Sequence, residues 1–310
     1  MRRLIFVFVI IHSCIISKAQ DQIQFVKTDE DKATVTNVKC GANNPSGLVF
    51  RFGNGLADFG EYPWMVAIIK ISDTSSTQWS DKDYLSAGTL IHPSVVLTSS
   101  YGYEKIKPNE LKCRAGEWNK KAEDENYLHQ ERNVRRIVTH KDYFKDSFYN
   151  AVTLMFLEKP FDLNEAPHVG AACAGQALPE PGTQCFGTGW GNGAFTNESD
   201  ILKKIPVNLL SVADCETKMR ETRLGEIFRL HESLTCASSA DDTCKTEVGA
   251  PLVCPVKGES TRYVLYGLSA YRIQQDGAPC AYVNVPAFYS WIGERMAEEG
   301  FKSDSYTYVP

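Results

Sequence analysis

The sequence predicts an all-β protein of many short antiparallel strands that ends in a single helix. Two observations carry that prediction. Across residues 62–285, short apolar or alternating runs (64–71, 89–98, 134–139, 152–157, 251–254 and 263–270) are broken by turn residues, the texture of a barrel or sandwich. From Pro286 the pattern changes, and Phe288, Trp291, Ile292 and Met296 recur at the spacing of one amphipathic helix. No internal repeat and no low-complexity tract interrupts this order.

The chain has 310 residues, 43% hydrophobic and 11% aromatic, which suffices for a full core. Its formal charge of −5 offers no electrostatic footprint for nucleic acid or an anionic membrane, so proteins are the expected partners. Arg2 and Arg3 precede the apolar run 4–11, and Ser17 and Ala19 supply small residues for cleavage after Ala19. Residues 1–19 therefore read as a secretory signal peptide. A membrane span would need about 20 apolar residues, which neither this run nor any later one supplies. The mature chain is expected to be secreted and soluble.

Residues 20–50 read as a flexible leader, polar and charged at first and then rich in Gly, Pro and Asn. The body of the chain is 51–299, followed by a tail, 300–310. Of the ten cysteines, Cys14 leaves with the signal peptide, and the nine that remain are expected to form disulfides in an oxidising compartment. Close Cys or His pairs at zinc-ligand spacing are absent. Nine is odd, so at least one thiol is free or pairs with another molecule.

Several segments together carry a resemblance. They are Gly60-Glu61-Tyr62-Pro63-Trp64, the run from Leu90 to Thr98 beginning Leu90-Ile91-His92-Pro93, and Cys185-Phe186-Gly187-Thr188-Gly189-Trp190-Gly191. Further along are Cys244 to Cys254, ending Pro251-Leu252-Val253-Cys254, then Pro279-Cys280-Ala281-Tyr282 and Trp291-Ile292. In order and spacing they resemble the chymotrypsin family of serine proteases over roughly residues 50–298. The resemblance implies two six-stranded antiparallel β-barrels, a C-terminal α-helix and a catalytic groove between the barrels.

Such enzymes need a hydroxyl nucleophile, an imidazole to take its proton and a carboxylate to orient the imidazole. By the resemblance those positions are Val248, Tyr101 and Ala151 in this chain. Valine has no nucleophilic atom, alanine orients nothing, and a phenol titrates too high for a general base near neutrality. Removing one member of such a trio can cost about 10⁶ in turnover, so no proteolysis is expected. The alignment has an internal check. The family joins two cysteines around this site, and Ser86 and Gly102 stand at both of their positions.

Asp242 stands where trypsin-like members bind Arg or Lys side chains, but Arg272 and Cys280 replace the glycines that open that pocket, and Tyr271 replaces a tryptophan. An Arg272–Asp242 pair would close it. Glu247 replaces the aspartate that receives a newly cut N-terminus, and the expected Ile-Val-Gly-Gly is degraded to Arg51-Phe52-Gly53-Asn54. The disulfides implied are Cys185–Cys254, Cys215–Cys236 and Cys40–Cys173, with Cys280 the substitute partner of Cys244. Cys113 is left over, either buried or bonded to a partner chain.

The segments from Cys40 to Leu48, from Arg114 to Asn119 and from His129 to Arg132 resemble a narrower group, the arthropod serine protease homologues of the masquerade and prophenoloxidase-activating-factor type. Most members of that group are non-catalytic cofactors of melanisation and similar cascades and carry an N-terminal clip domain. No cysteine between residues 20 and 39 is present to build one here. The resemblance therefore implies an inactive secreted homologue that binds a protease, zymogen or cascade component. The alternatives are an active endopeptidase with unconventional groups, and a structural or adhesive protein crosslinked through Cys113. No cofactor is expected beyond a structural Ca²⁺, for which Glu117, Asn119 and one of Glu123, Glu125 or Glu131 are the candidate ligands. Asn197-Glu198-Ser199 is a glycosylation sequon.

Overall fold

The computed structural model describes residues 40–44, 47–48, 55–71, 82–122, 127–191, 200–239 and 246–309. Six strands form the first barrel: β1 (Met65–Lys70), β2 (Tyr84–His92), β3 (Val95–Ser99), β4 (Leu111–Ala115), β5 (Gln130–Thr139) and β6 (Val152–Leu157). It closes in the order β1-β2-β3-β6-β5-β4. Strands β3 and β6 are buried at every residue, whereas β5 carries Glu131, Arg132, Arg135 and Arg136 and is mostly wet. Continuous apolar runs therefore go inside the barrel, and the charged strand faces out.

A two-residue strand, β7 (Cys173–Ala174), leads into the second barrel. That barrel contains β8 (Gln184–Gly189), β9 (Lys203–Leu209), β10 (Leu234–Ser239), β11 (Pro251–Pro255), β12 (Tyr263–Arg272) and β13 (Cys280–Asn284). The order is β11-β8-β9-β10-β13-β12, with β12 pairing back to β11 to close the ring and β7 lying parallel beside β12. Strand β12 serves both neighbours because it is long: its start pairs with β11 and its end with β13.

Two helices accompany the barrels. Helix α2 (Tyr289–Glu298) is the expected terminal helix and buries Ile292 and Met296. Phe288 lies just before it, in a tighter turn at Val285–Phe288. Helix α1 (Val212–Arg220) is not anticipated by apolar spacing, because only Cys215 and Met219 are buried. Its start is fixed by the Ser211 hydroxyl, which accepts a bond from Asp214 N at 3.0 Å, and Lys218 and Arg220 complement its C-terminal end. The run 89–98 also divides. A turn at Pro93-Ser94 folds it into β2 and β3, pairing Thr89 with Leu97.

Disulfides join Cys40 to Cys173, Cys185 to Cys254 and Cys215 to Cys236. Cys280 is also disulfide-bonded, while Cys244, its expected partner, lies outside the described residues. Cys113 is free and wholly buried in β4, and burial pushes its thiol far up from the ordinary range. No described helix is long and apolar enough to cross a membrane.

Candidate functional site

The ends of three strands converge where the sequence places its vacated trio. Ser99, the last residue of β3, pairs with Val152 of β6, and Ser100 N donates to Ala151 O at 3.2 Å. This holds Tyr101, just beyond β3, near Ala151, just ahead of β6. From the second barrel the turn 246–250 reaches the same strand end. Gly249 has φ +82°, and a Cβ there would lie 2.3 Å from Ala87 O and 2.3 Å from Thr98 Oγ1. Only glycine fits such a contact at that φ. The turn is tied to β12 by Gly249 N to Ser269 O at 2.8 Å and Ser269 N to Ala250 O at 2.7 Å. Gly249, the neighbour of Val248, is therefore held against the first barrel at the end of β3.

An aromatic ladder stands in the same region. The Tyr101 ring stacks on Phe148 at 5.1 Å, and Phe148 meets Tyr271 at 5.6 Å. Phe148 has φ 58° and Asn150 has φ 53°, a conformation that side chains other than glycine rarely adopt. The strain is held from outside. Asn150 N donates to Ser233 Oγ at 3.1 Å, its side-chain amide donates to Asp142 O at 3.0 Å, and Tyr149 stacks on His231 at 4.2 Å. Burial pushes the Tyr271 hydroxyl up to about 12, and Tyr101 remains 44% exposed under the Lys145 ammonium.

The hydroxyls here are engaged or enclosed. Ser100 Oγ accepts from Thr153 Oγ1 at 3.0 Å, and Ser99 Oγ is buried without a partner among the described residues. One imidazole does meet a serine: His231 Nδ1 lies 2.8 Å from Ser233 Oγ. That pair is a local brace. Ser233 is 1% exposed, and its oxygen already accepts Asn150 N, so no substrate carbonyl can approach it.

Glu247 is buried and hydrogen-bonded through both oxygens. Its carboxylate accepts Tyr84 OH at 2.5 Å, Trp190 N at 3.1 Å and Gly191 N at 2.8 Å. Burial, then the charge of Glu247, raises the Tyr84 hydroxyl well above its usual range. Ser86, at one position of the family's missing disulfide, hydrogen-bonds the hydroxyl of Tyr103, one residue beyond the other. Both groups are buried, so the phenol links the two elements that a disulfide would otherwise join.

Of the pocket residues, Arg272 stands directly opposite Cys280 across the β12–β13 pair. Asp242 lies outside the described residues, as do Asn197, Glu123, Glu125 and Arg51-Phe52-Gly53-Asn54. In the Ca²⁺ candidate, Glu117 and Glu131 converge on the buried Arg114 guanidinium, at 3.0 Å and 2.6 Å. Glu117 Oε1 has no hydrogen-bond partner, and burial pushes its carboxyl up against the opposing pull of Arg114. Of the candidate ligands that are described, both carboxylates thus face a guanidinium. Among the described residues no three His, Cys, Asp or Glu side chains group as metal ligands.

A family model for trypsin matches residues 53–292, most of the chain. The chain belongs to the trypsin family. It is 38% identical over 288 residues to phenoloxidase-activating factor 2 of Galleria mellonella, covering 87% of this chain and 92% of that protein. It is 34% identical over 266 residues to inactive CLIP domain-containing serine protease A8 of Anopheles gambiae, covering 82% of this chain and 70% of that one. A second Anopheles gambiae protein, inactive CLIP domain-containing serine protease A28, is 30% identical over 277 residues, covering 85% and 69%. This trypsin-family chain is thus a protease homologue akin to masquerade-like proteins. Relatives named as inactive support a regulatory protease-like role for it.

Three residues of the trypsin-like site escape sequence reasoning: Tyr84, Tyr103 and Phe148. The first two replace neither motif residue nor cysteine, so only the fold shows whom they reach. Phe148 carries a faint sequence signal, two adjacent aromatics and an asparagine immediately before Ala151.

Proposed function

We propose that the protein is a secreted, catalytically inactive serine protease homologue that binds and regulates a component of an extracellular protease cascade. What carries this reading is Val248, which by the resemblance stands at the nucleophile position, in the turn whose Gly249 packs against β3. Tyr101 and Ala151 leave the base and its orienting group vacant as well. With the Tyr101–Phe148–Tyr271 ladder beside them, the region is a surface for recognition rather than for chemistry.

Around the ladder the loop 141–149 exposes Phe144 at 55% beside the 44% exposed Tyr101, with Lys145 and Glu104 ion-paired at 3.3 Å. Aromatic side chains on a loop fixed to a rigid barrel are well suited to a protein partner. The names of the relatives, a phenoloxidase-activating factor and inactive clip-domain proteases, favour a melanisation-like cascade as the setting. Burial of Cys113 removes the main support for a crosslinked structural protein. Glycosylation at Asn197 and export through residues 1–19 belong to the same reading.

Cross-linking mass spectrometry in the native fluid tests it. The expected result is cross-links from Lys145 and Lys105 to a protease or zymogen. Absence of any partner, or cross-links only from the far side of the barrels, would overturn the proposal.

A further inference from the structure

The buried carboxylate of Glu247 joins three separate pieces of chain. It belongs to the turn 246–250, it accepts two backbone amides from the end of β8, and it accepts the hydroxyl of Tyr84 from the start of β2. Both oxygens are occupied. The carboxylate also packs closely on β8: a Cβ on Gly189 would lie 2.5 Å from Glu247 Oε2. The Tyr84 ring is itself fixed, meeting Trp190 edge-on at 6.1 Å with Lys120 Nζ 5.4 Å from its centroid.

We infer that Tyr84 and Glu247 form a permanent internal clamp, which holds the 188–191 and 246–250 segments in one arrangement whether or not the chain is cut after Arg51. The hydroxyl of Tyr84 comes from within the barrel, so no donor has to arrive from a new chain end. An incoming ammonium would meet a carboxylate that already accepts three internal donors, and would itself have to be desolvated. The raised pKa of the Tyr84 phenol keeps it a donor at any physiological pH. A clamp made of neutral donors on one carboxylate does not depend on the charge state of a terminus. The arrangement is thus set at folding rather than by cleavage at that site. This inference stands apart from the proposed binding role and holds whatever the partner is.

The test compares three preparations by hydrogen exchange: intact protein, protein cut after Arg51 through a site-specific protease sequence placed there, and the uncut Tyr84→Phe variant. Protection at the amides of Trp190 and Gly191 is expected to match within about twofold in intact and cut protein. It is expected to fall about tenfold in Tyr84→Phe, as for a lost hydrogen bond worth about 1.4 kcal/mol. In parallel, the new α-amine of the cut protein is expected to react with an acylating reagent as fast as it does in denaturant. That measurement stands even if Tyr84→Phe fails to fold. Amine protection after cutting, cut-dependent exchange at 188–191, or unchanged exchange in a folded Tyr84→Phe would each overturn the clamp.

Discussion

The phenol of Tyr103 hydrogen-bonds the hydroxyl of Ser86, bracing strand β2 against the turn that follows β3. Both groups are buried, and the strand ends they steady are those that hold Tyr101 and Ala151. A hydrogen bond thus stands where the family resemblance implies a disulfide. It is weaker, and it can be removed without touching the backbone.

Tyr103→Phe is therefore expected to lower unfolding free energy by about 1–2 kcal/mol, since the Ser86 hydroxyl then keeps only its 3.3 Å contact with Ala87 O. Tyr103→Ala should cost about 3–5 kcal/mol, because a cavity is added. Urea denaturation of the two variants measures both. Equal stability of Tyr103→Phe and the parent would show that the contact contributes nothing.

Stability should be insensitive to calcium. Arg114 already neutralises Glu117 and Glu131, so melting in excess calcium and in excess EDTA should give the same midpoint. Arg114→Ala should be destabilised by about 3–5 kcal/mol, because a buried carboxylate then loses its counter-charge. A clear rise in midpoint with calcium in the parent would contradict this.

Acid should weaken the fold in a window set by His92. Burial lowers its pKa from 6.5 to about 4, the ring packing on Phe301 at 4.0 Å. Folding thus favours the neutral ring. Its contribution is complete above pH 6.5, declines as the pH falls towards 4, and levels off below that. The loss is at most about 3 kcal/mol and smaller to the extent that solvent screens the half-buried ring. His140 and His168 are lowered by burial as well and act in the same direction. Urea midpoints across this range should slope less in His92→Gln than in the parent.

The aromatic ladder should be more a matter of shape than of stability at its exposed end. Tyr101→Ala is expected to cost about 1 kcal/mol, the worth of one stacked contact. Phe148→Ala should cost more, about 3 kcal/mol, because it removes contacts to both Tyr101 and Tyr271. In a partner-binding assay both should weaken affinity, and an unchanged Kd for both would argue that the partner docks elsewhere.

Much of the fold was legible because its signals are local. Val152–Leu157 reads as a strand from its apolar run, and Ile292 and Met296 announce α2 by spacing. The split of 89–98 into two strands was not read, since Pro93-Ser94 is a two-residue turn within an otherwise continuous apolar run. Helix α1 buries too little to show a period and is specified by its Ser211 cap. The vacancies proposed at Val248, Tyr101 and Ala151 come from the sequence alone, as substitutions within motifs. What fills the site could not. The partnerships of Tyr84 with Glu247, Tyr103 with Ser86 and Phe148 with Tyr271 join residues far apart in sequence, by contacts that leave no pattern in the chain.

The central claim is that this cleft holds no activated nucleophile. Incubating the folded protein with a fluorophosphonate probe, before and after cleavage at Arg51, and mapping adducts by mass spectrometry tests it most directly. The account predicts an unmodified chain in both states. A stoichiometric adduct on Ser99, Ser100 or Ser233 would contradict it.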